Sequence, residues 1–158
     1  MRGSEATRVE FSGSDEVRYD TVSVKHILVA DDNTYLRKLC VDVLVGAGYK
    51  VAGFANGAAA WQALQSNRYD LLVTDNKMPK MSGIEMIEKM RAACMLLPVI
   101  MATGYLPMQE FSRKPWLQPD ATLERPFSND DLLKTVKKVL RRNDDYNSHL
   151  KILLRAYP

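Results

Sequence analysis

From His26 onward the chain alternates two kinds of apolar pattern. Short continuous runs, His26 to Ala30, Val51 to Phe54, Leu71 to Thr74, Val99 to Ala102 and Ala121 to Leu123, have the length and β-branched content of buried strands. Between them, apolar positions return every three or four residues, the period of a helix with one buried face. Leu36, Leu39, Cys40, Val43 and Leu44 form the first such stripe and stop at Gly46 and Gly48; Ala58, Trp61 and Leu64 form the second. Ile84, Ile87, Met90 and Arg91 follow Ser82, which has the chemistry of an N-cap. A last long helix starts at Ser128, has Asp131 three residues on, and carries Leu132, Val136, Val139 and Leu140 on one face. Pro107, Pro115 and Pro119 leave room only for a short or irregular fourth helix around Met108 to Lys114. Strands separated by helices of this size require right-handed crossovers, so the expected fold is α/β: a doubly wound, five-stranded parallel sheet of the flavodoxin-like (βα)5 kind.

The stretch before this pattern is different. Residues 1–24, rich in Ser, Gly, Asp, Glu and Arg, sustain neither period and read as a flexible N-terminal extension. Residues 25–143 make one domain, and 144–158 a C-terminal tail. In that tail Leu150, Ile152, Leu153 and Leu154 are awkward if fully exposed. Packing back on the domain is the favoured expectation, with a dimer contact through a continued last helix and the start of a longer protein as alternatives. No apolar run reaches the ~18 residues needed to span a bilayer, and the N-terminus lacks the apolar centre of a signal peptide, so a cytoplasmic protein without a membrane partner is expected. Two cysteines, Cys40 and Cys94, both sit in apolar helical patterns and are expected as buried reduced thiols. A net charge of +3 is too mild to announce nucleic acid, and the basic strip Lys134, Lys137, Lys138, Arg141 and Arg142 reads as a solvated helix face.

Candidate chemistry comes from where the polar residues fall. In an open parallel sheet, ligands bind in the crevice outside the carboxyl ends of the strands. Asp31 and Asp32 close the first strand, Asp75 the third, Thr103 follows the fourth and Arg125 the fifth. Three carboxylates brought together there would repel by about 4 kcal/mol per close pair at an effective dielectric near 20, unless protons or a cation intervene. A hard divalent ion, Mg²⁺, suits carboxylate and carbonyl ligands and accompanies transferring phosphoryl groups. For Asp32 or Asn33 alone, capping the first helix is an equally good account.

The motifs "ILVADDN", "DLLVTDNKMPKMSG", "PVIMATG" and "LERPF", in that order, resemble a response-regulator receiver domain of two-component signalling over roughly His26 to Asn143. The resemblance implies that Asp75 is the phosphoryl acceptor, charged by a sensor histidine kinase or a histidine phosphotransfer protein. It implies that Asp31, Asp32, Asp75 and the backbone carbonyl of Lys77 hold Mg²⁺, and that Thr103 and Arg125 answer the phosphoryl group. Such a domain is a self-phosphorylating switch rather than an enzyme with a separate substrate. Its output would be a changed surface for a downstream protein effector, formed by the fourth helix, fifth strand and fifth helix, here near Trp116 and Lys134, Lys138 and Arg141. Direct nucleic-acid binding is not expected; a homodimer is left open.

Two departures qualify the resemblance. Receivers usually carry lysine where this chain has Arg125, and many carry an aromatic residue where it has Thr122. Arginine is planar and bidentate, lysine a compact point charge, so the exchange is not conservative in a crowded site. The alternative reading is therefore a degenerate receiver-like interaction module that takes no phosphate. Tyr105 either gates the site or packs in its loop, and Lys77 either tunes acyl-phosphate hydrolysis or is simply solvated. Two other uses of the fold fit poorly. A haloacid-dehalogenase-type phosphatase needs a second aspartate where Lys77 stands, and a flavodoxin needs a hydroxyl-rich phosphate loop where Asp31 and Asp32 stand.

Overall fold

The computed structural model describes residues 23–157; of the extension expected at 1–24, residues 1–22 lie outside them. The elements run β1 (His26–Ala30), α1 (Thr34–Gly46), β2 (Lys50–Phe54), α2 (Gly57–Ser66), β3 (Leu71–Thr74), α3 (Gly83–Ala92), β4 (Val99–Thr103), α4 (Met108–Arg113), a 3₁₀ turn (Pro115–Leu117), β5 (Ala121–Glu124) and α5 (Asn129–Ala156). All strand pairs are parallel, in the order β2-β1-β3-β4-β5. The expected fold class is observed.

Alternation along the strands divides the core in two. Ile27, Val29, Leu71, Val73, Ile100 and Ala102 point to the side covered by Cys40 and Leu44 of α1 and Leu132, Val136 and Val139 of α5. Leu28, Ala30, Leu72, Val99 and Met101 point to the other side, against Ala60 and Leu64 of α2 and Met86, Ile87 and Met90 of α3. Both faces being covered, β3 and β4 are buried along their whole length, which is why they read as unbroken apolar runs. Because β1 lies between β2 and β3, the chain reverses its direction of travel across the sheet at the β1–β3 pair, and their carboxyl ends open a crevice between the two helical layers.

Local chemistry sets the helix starts. Asn33, Asn56, Ser82 and Ser128 each cap a helix, and Ser82 with Glu85 and Ser128 with Asp131 form capping boxes. The three prolines shorten α4 to six residues as expected. Thr122 is exposed on β5.

Two expectations are corrected. Cys40 is buried, but Cys94 is exposed. Cys94 sits just past α3 at φ 54°, and the Met95 N–H donates to the Met90 carbonyl, so Cys94 holds the left-handed position of a Schellman cap that glycine normally fills. The expected tail does not fold back. α5 passes residue 143 without a break and ends at Ala156, and Ile152, Leu153 and Leu154 are 65%, 57% and 67% exposed. An uninterrupted helix carries its backbone straight past the lower edge of the sheet, where the described residues leave those side chains exposed.

The left-handed cap gives a first prediction. Cys94→Gly removes the Cβ penalty at positive φ and should stabilise the protein by about 0.5–1 kcal/mol, offset in part by the greater freedom of glycine in the unfolded chain. Urea denaturation at neutral pH with reductant present checks it; a midpoint below that of the parent protein would contradict the strain argument.

Candidate functional site

The site lies at the carboxyl edge of the sheet, and the strand ladder builds it. The Asp31 N–H donates to the Phe54 carbonyl at 3.0 Å and the Asp75 N–H to the Ala30 carbonyl at 2.9 Å, so sheet pairing runs one residue beyond β1 and β3 and fixes both aspartates. Across the sheet the Arg125 N–H donates to the Thr103 carbonyl at 3.0 Å. Thr103, expected just after its strand, is instead the last residue of β4 and 2% exposed. The α1 cap is supplied by Asn33, whose Oδ1 accepts from the Leu36 N–H at 3.0 Å. Asp32 is thereby left free of the capping role and stays exposed.

Asp31, Asp32 and Asp75 each bring a carboxylate oxygen within 4.8 Å of the other two. Residues 44 apart in sequence therefore share one small volume, as the strand ends require. Asp31 is 2% exposed and Asp75 8%. The Arg125 guanidinium reaches into this cluster: Nη2 donates to Asp31 Oδ2, and Nη1 stands 3.6 Å from Asp75 Oδ2. One cation thus serves two carboxylates, something the forked guanidinium can do and a single ammonium does less well.

Asp31 has further donors. Its Oδ1 accepts from the Asn33 N–H at 2.9 Å, and its backbone carbonyl accepts from Arg37 Nη1 at 2.7 Å. Even so, burial raises the Asp31 pKa above its ordinary 3.8; the Asn33 N–H and Arg125 pull it down, Asp75 pushes it up, and burial wins. The Asp75 carboxylate accepts from the Asn76 N–H at 2.7 Å.

The loop after Asp75 is held tightly. Gly83 N–H donates to the Asn76 carbonyl at 2.9 Å, and Asn76 Oδ1 accepts from the Ile84 N–H at 3.1 Å, which ties the loop to the start of α3. A Cβ on Gly83 would lie 2.3 Å from the Asp75 carbonyl oxygen, so the close approach expected of this glycine is required by the backbone. Thr103 Oγ1 accepts from the Tyr105 N–H and donates to the Tyr105 carbonyl, both at 3.3 Å, a local turn with long bonds. Tyr105 is 63% exposed, and Lys77 Nζ lies 5.3 Å from its ring centroid. Neither expected role of Tyr105, gate or packed loop residue, foresaw this pair, which forms because the β3–α3 and β4–α4 loops leave the same edge. Sequence reasoning also missed Arg37, Asn33 and Asn76 as supports of the acids. Asn33 was legible only as a cap, Arg37 reaches the Asp31 backbone carbonyl with its guanidinium, and Asn76 acts through its own N–H, contacts that no motif announces.

Comparison with known proteins agrees with this geometry. Residues 27–137 match the family model of the response regulator receiver domain. The chain belongs to the response regulator receiver domain family. It is 34% identical over 124 residues to the response regulator receiver protein CpdR of Brucella abortus, covering 74% of this chain and 98% of that one. The transcriptional regulatory protein RprY of Bacteroides fragilis is 30% identical over 116 residues, but this receiver covers only 49% of its length. Among solved structures, a CheY-like receiver domain protein from Methanospirillum hungatei superposes with a TM-score of 0.74 at 27% identity, covering 78% of this chain and 99% of that one. The response regulator TrrA of Thermotoga maritima, solved in complex with Mg²⁺ and BeF, gives 0.65 at 32% identity, with 73% and 99% covered. Among the described residues of the receiver no helix is long and apolar enough to cross a membrane.

The buried acid carries a pH signature. A carboxyl whose folded pKa is raised favours the folded state while protonated, below 3.8, and that advantage is lost as pH rises through the folded value. In metal-free buffer, Asp31→Asn should therefore be more stable than the parent protein at pH 7, and the difference should shrink as pH falls toward about 3, where the carboxyl is also neutral. Thermal unfolding in chelator across that range checks it. A variant less stable than the parent at neutral pH would mean that Arg125 outweighs burial.

Proposed function

We propose that Asp75 is the phosphoryl acceptor of this receiver and that Asp31, Asp32, Asp75 and the carbonyl of Lys77 hold Mg²⁺. The observation that carries this reading is the meeting of three carboxylates within 4.8 Å at the sheet edge, beside the Arg125 guanidinium. An all-oxygen, acid-rich donor set fits a hard divalent ion. When bound, Mg²⁺ would neutralise phosphoryl oxygens and the crowded acids.

The chain's own residues have the following work. An Asp75 carboxylate oxygen attacks phosphorus of a phosphohistidine; the P–N bond breaks, and its electron pair leaves with the imidazole nitrogen, which takes a proton. Arg125, already 3.6 Å from the Asp75 carboxylate, follows the new negative charge. The Thr103 hydroxyl exchanges its long bonds to Tyr105 for a phosphoryl oxygen. Nearly two added charges pull these groups inward and shift a pre-existing equilibrium between two surface arrangements. The readers of that change are proteins: a sensor histidine kinase or histidine phosphotransfer protein upstream, and an effector docking near exposed Trp116 and the basic residues of α5 downstream. The cytoplasm is the compartment in which such a switch would work, and return to the resting state proceeds by hydrolysis at the same site.

A second reading, an interaction module that takes no phosphate, is favoured by one feature: the Arg125–Asp31 pair occupies an oxygen that Mg²⁺ would use. One experiment separates the two. Incubation with phosphoramidate and Mg²⁺, followed by intact-mass measurement, should add one phosphoryl mass to the parent protein, and nothing to Asp75→Asn or to chelator-treated protein. Arg125→Lys, which frees that oxygen while keeping the charge, should speed uptake roughly tenfold, equivalent to about 1.4 kcal/mol. No added mass at any pH or donor concentration would establish the second reading.

A further inference from the structure

The amino edge of the sheet, opposite Asp75, carries an open apolar trough. Two adjoining cavities of about 340 and 410 Å³ share Leu96, Leu97, Pro98, Asn143 and Asn147, so they form one depression that runs from the α2–β3 loop, under the starts of β3 and β4, to α5. Leu96 and Tyr146 lie bare in it, 79% and 61% exposed. Arg68, Arg91 and Arg142 stand around it with Asp70 and Asp120. Both acids are already committed: Asp70 Oδ2 accepts the His26 N–H at 2.7 Å, and Asp120 Oδ2 accepts the Val99 N–H at 2.8 Å. Arg91 Nε and Arg142 Nη2 donate to the Trp116 and Asp120 carbonyls at 3.3 and 3.1 Å, and among the described residues none of the three arginines makes an ion pair.

The chain enters the sheet at the rim of this trough. The His26 carbonyl accepts the Asp70 N–H at 2.7 Å, the His26 ring lies 4.4 Å from that of Tyr69, and Lys25 pairs with Asp144 at 2.7 Å. Tyr69 and Asp70 line the trough on one side, and Asn143, next to Asp144, lines it on the other. The backbone leading into β1 is thereby pinned between them.

We propose that residues 9–22 of this same chain lie in the trough as an extended strap. Three observations select that occupant. Val17 and Tyr19 flank Arg18, and Val9 and Phe11 flank Glu10, so in extended backbone each pair sets two apolar side chains on one side. Glu10, Asp15, Glu16 and Asp20 stand against Arg18 alone, an acidic stretch for a trough in which arginines outnumber carboxylates. Residues 17–22 span about 20 Å when extended, whereas β1 to β5 is three strand spacings, about 14 Å. Val17 and Tyr19 therefore come within reach of Leu96 and Tyr146.

Attachment at the rim favours this segment over a separate molecule. A short tether gives an effective concentration on the order of 1 mM, so a fit with a Kd of about 100 µM leaves the strap docked about ten times as often as free. Being at the edge away from Asp75, the strap does not rest on the phosphorylation reading.

Limited trypsin digestion of the full chain, followed by mass spectrometry, reads docking at Arg18, which the strap holds away from the protease. A synthetic peptide of residues 9–25 supplies the undocked rate for the same bond. The protein should be cut after Arg18 about tenfold more slowly than the peptide. Leu96→Asp with Tyr146→Asp replaces two exposed apolar side chains by charges that repel the strap, and should restore the peptide's rate with an unchanged circular dichroism spectrum. Ile152→Asp, exposed on α5 outside the trough, should stay protected, and protection should not vary with protein concentration. Cleavage of the parent protein at the peptide's rate, protection undiminished in the double variant, or protection lost on dilution, which would place a second copy in the trough, would each overturn the proposal.

Discussion

The balance of charge at the sheet's carboxyl edge governs this molecule. Parallel pairing carries β1 and β3 one residue past their apolar runs and sets Asp31 and Asp75 side by side, and the turn into α1 adds Asp32. Left alone, these acids would oppose the packing that assembles them. Arg125, delivered by β5 from across the sheet, compensates two of them through one guanidinium. Backbone donors from residues 33 and 76 do the rest. Burial still keeps the Asp31 pKa raised, so the resting site stores electrostatic cost that a divalent ion or a proton relieves. A site poised in this way is one whose surroundings respond when its charge changes.

Arg125 is also where this chain parts from the usual receiver pattern. Its reach lets it bridge Asp31 and Asp75 together, and so hold the unmodified site in one compact arrangement. Under the proposed Mg²⁺ site, that bridge and the ion would compete for one oxygen of Asp31. On the neighbouring loops the exposed Lys77 places its ammonium 5.3 Å from the Tyr105 ring centroid.

α5 links the two ends of the domain. Its first turns pack on the sheet near the site, and its last ones stand in solvent beyond the opposite edge. One continuous helix thus both buttresses the sheet and carries an exposed apolar stripe beyond it.

Much of this was legible before any coordinates. The unbroken runs at β1, β3 and β4 announced strands buried on both faces, and caps at Asn33, Ser82 and Ser128 marked where helices start, because both signals act over a few residues. The convergence of Asp31, Asp32, Asp75, Thr103 and Arg125 followed from topology alone, since every strand of a parallel sheet ends at the same edge. The misreadings have a common source. Cys94 shares the apolar spacing of α3 but lies past its end, where backbone handedness rather than periodicity decides exposure. The tail's leucines look like core residues to any pattern, and only the straight run of α5 past the sheet left them outside. Local chemistry along the chain therefore determined the elements, the fold and the identity of the acids. Tertiary structure decided which oxygen Arg125 takes, which backbone groups restrain the acids and where α5 ends relative to its core, because those are distances between segments and no spacing along one segment encodes them.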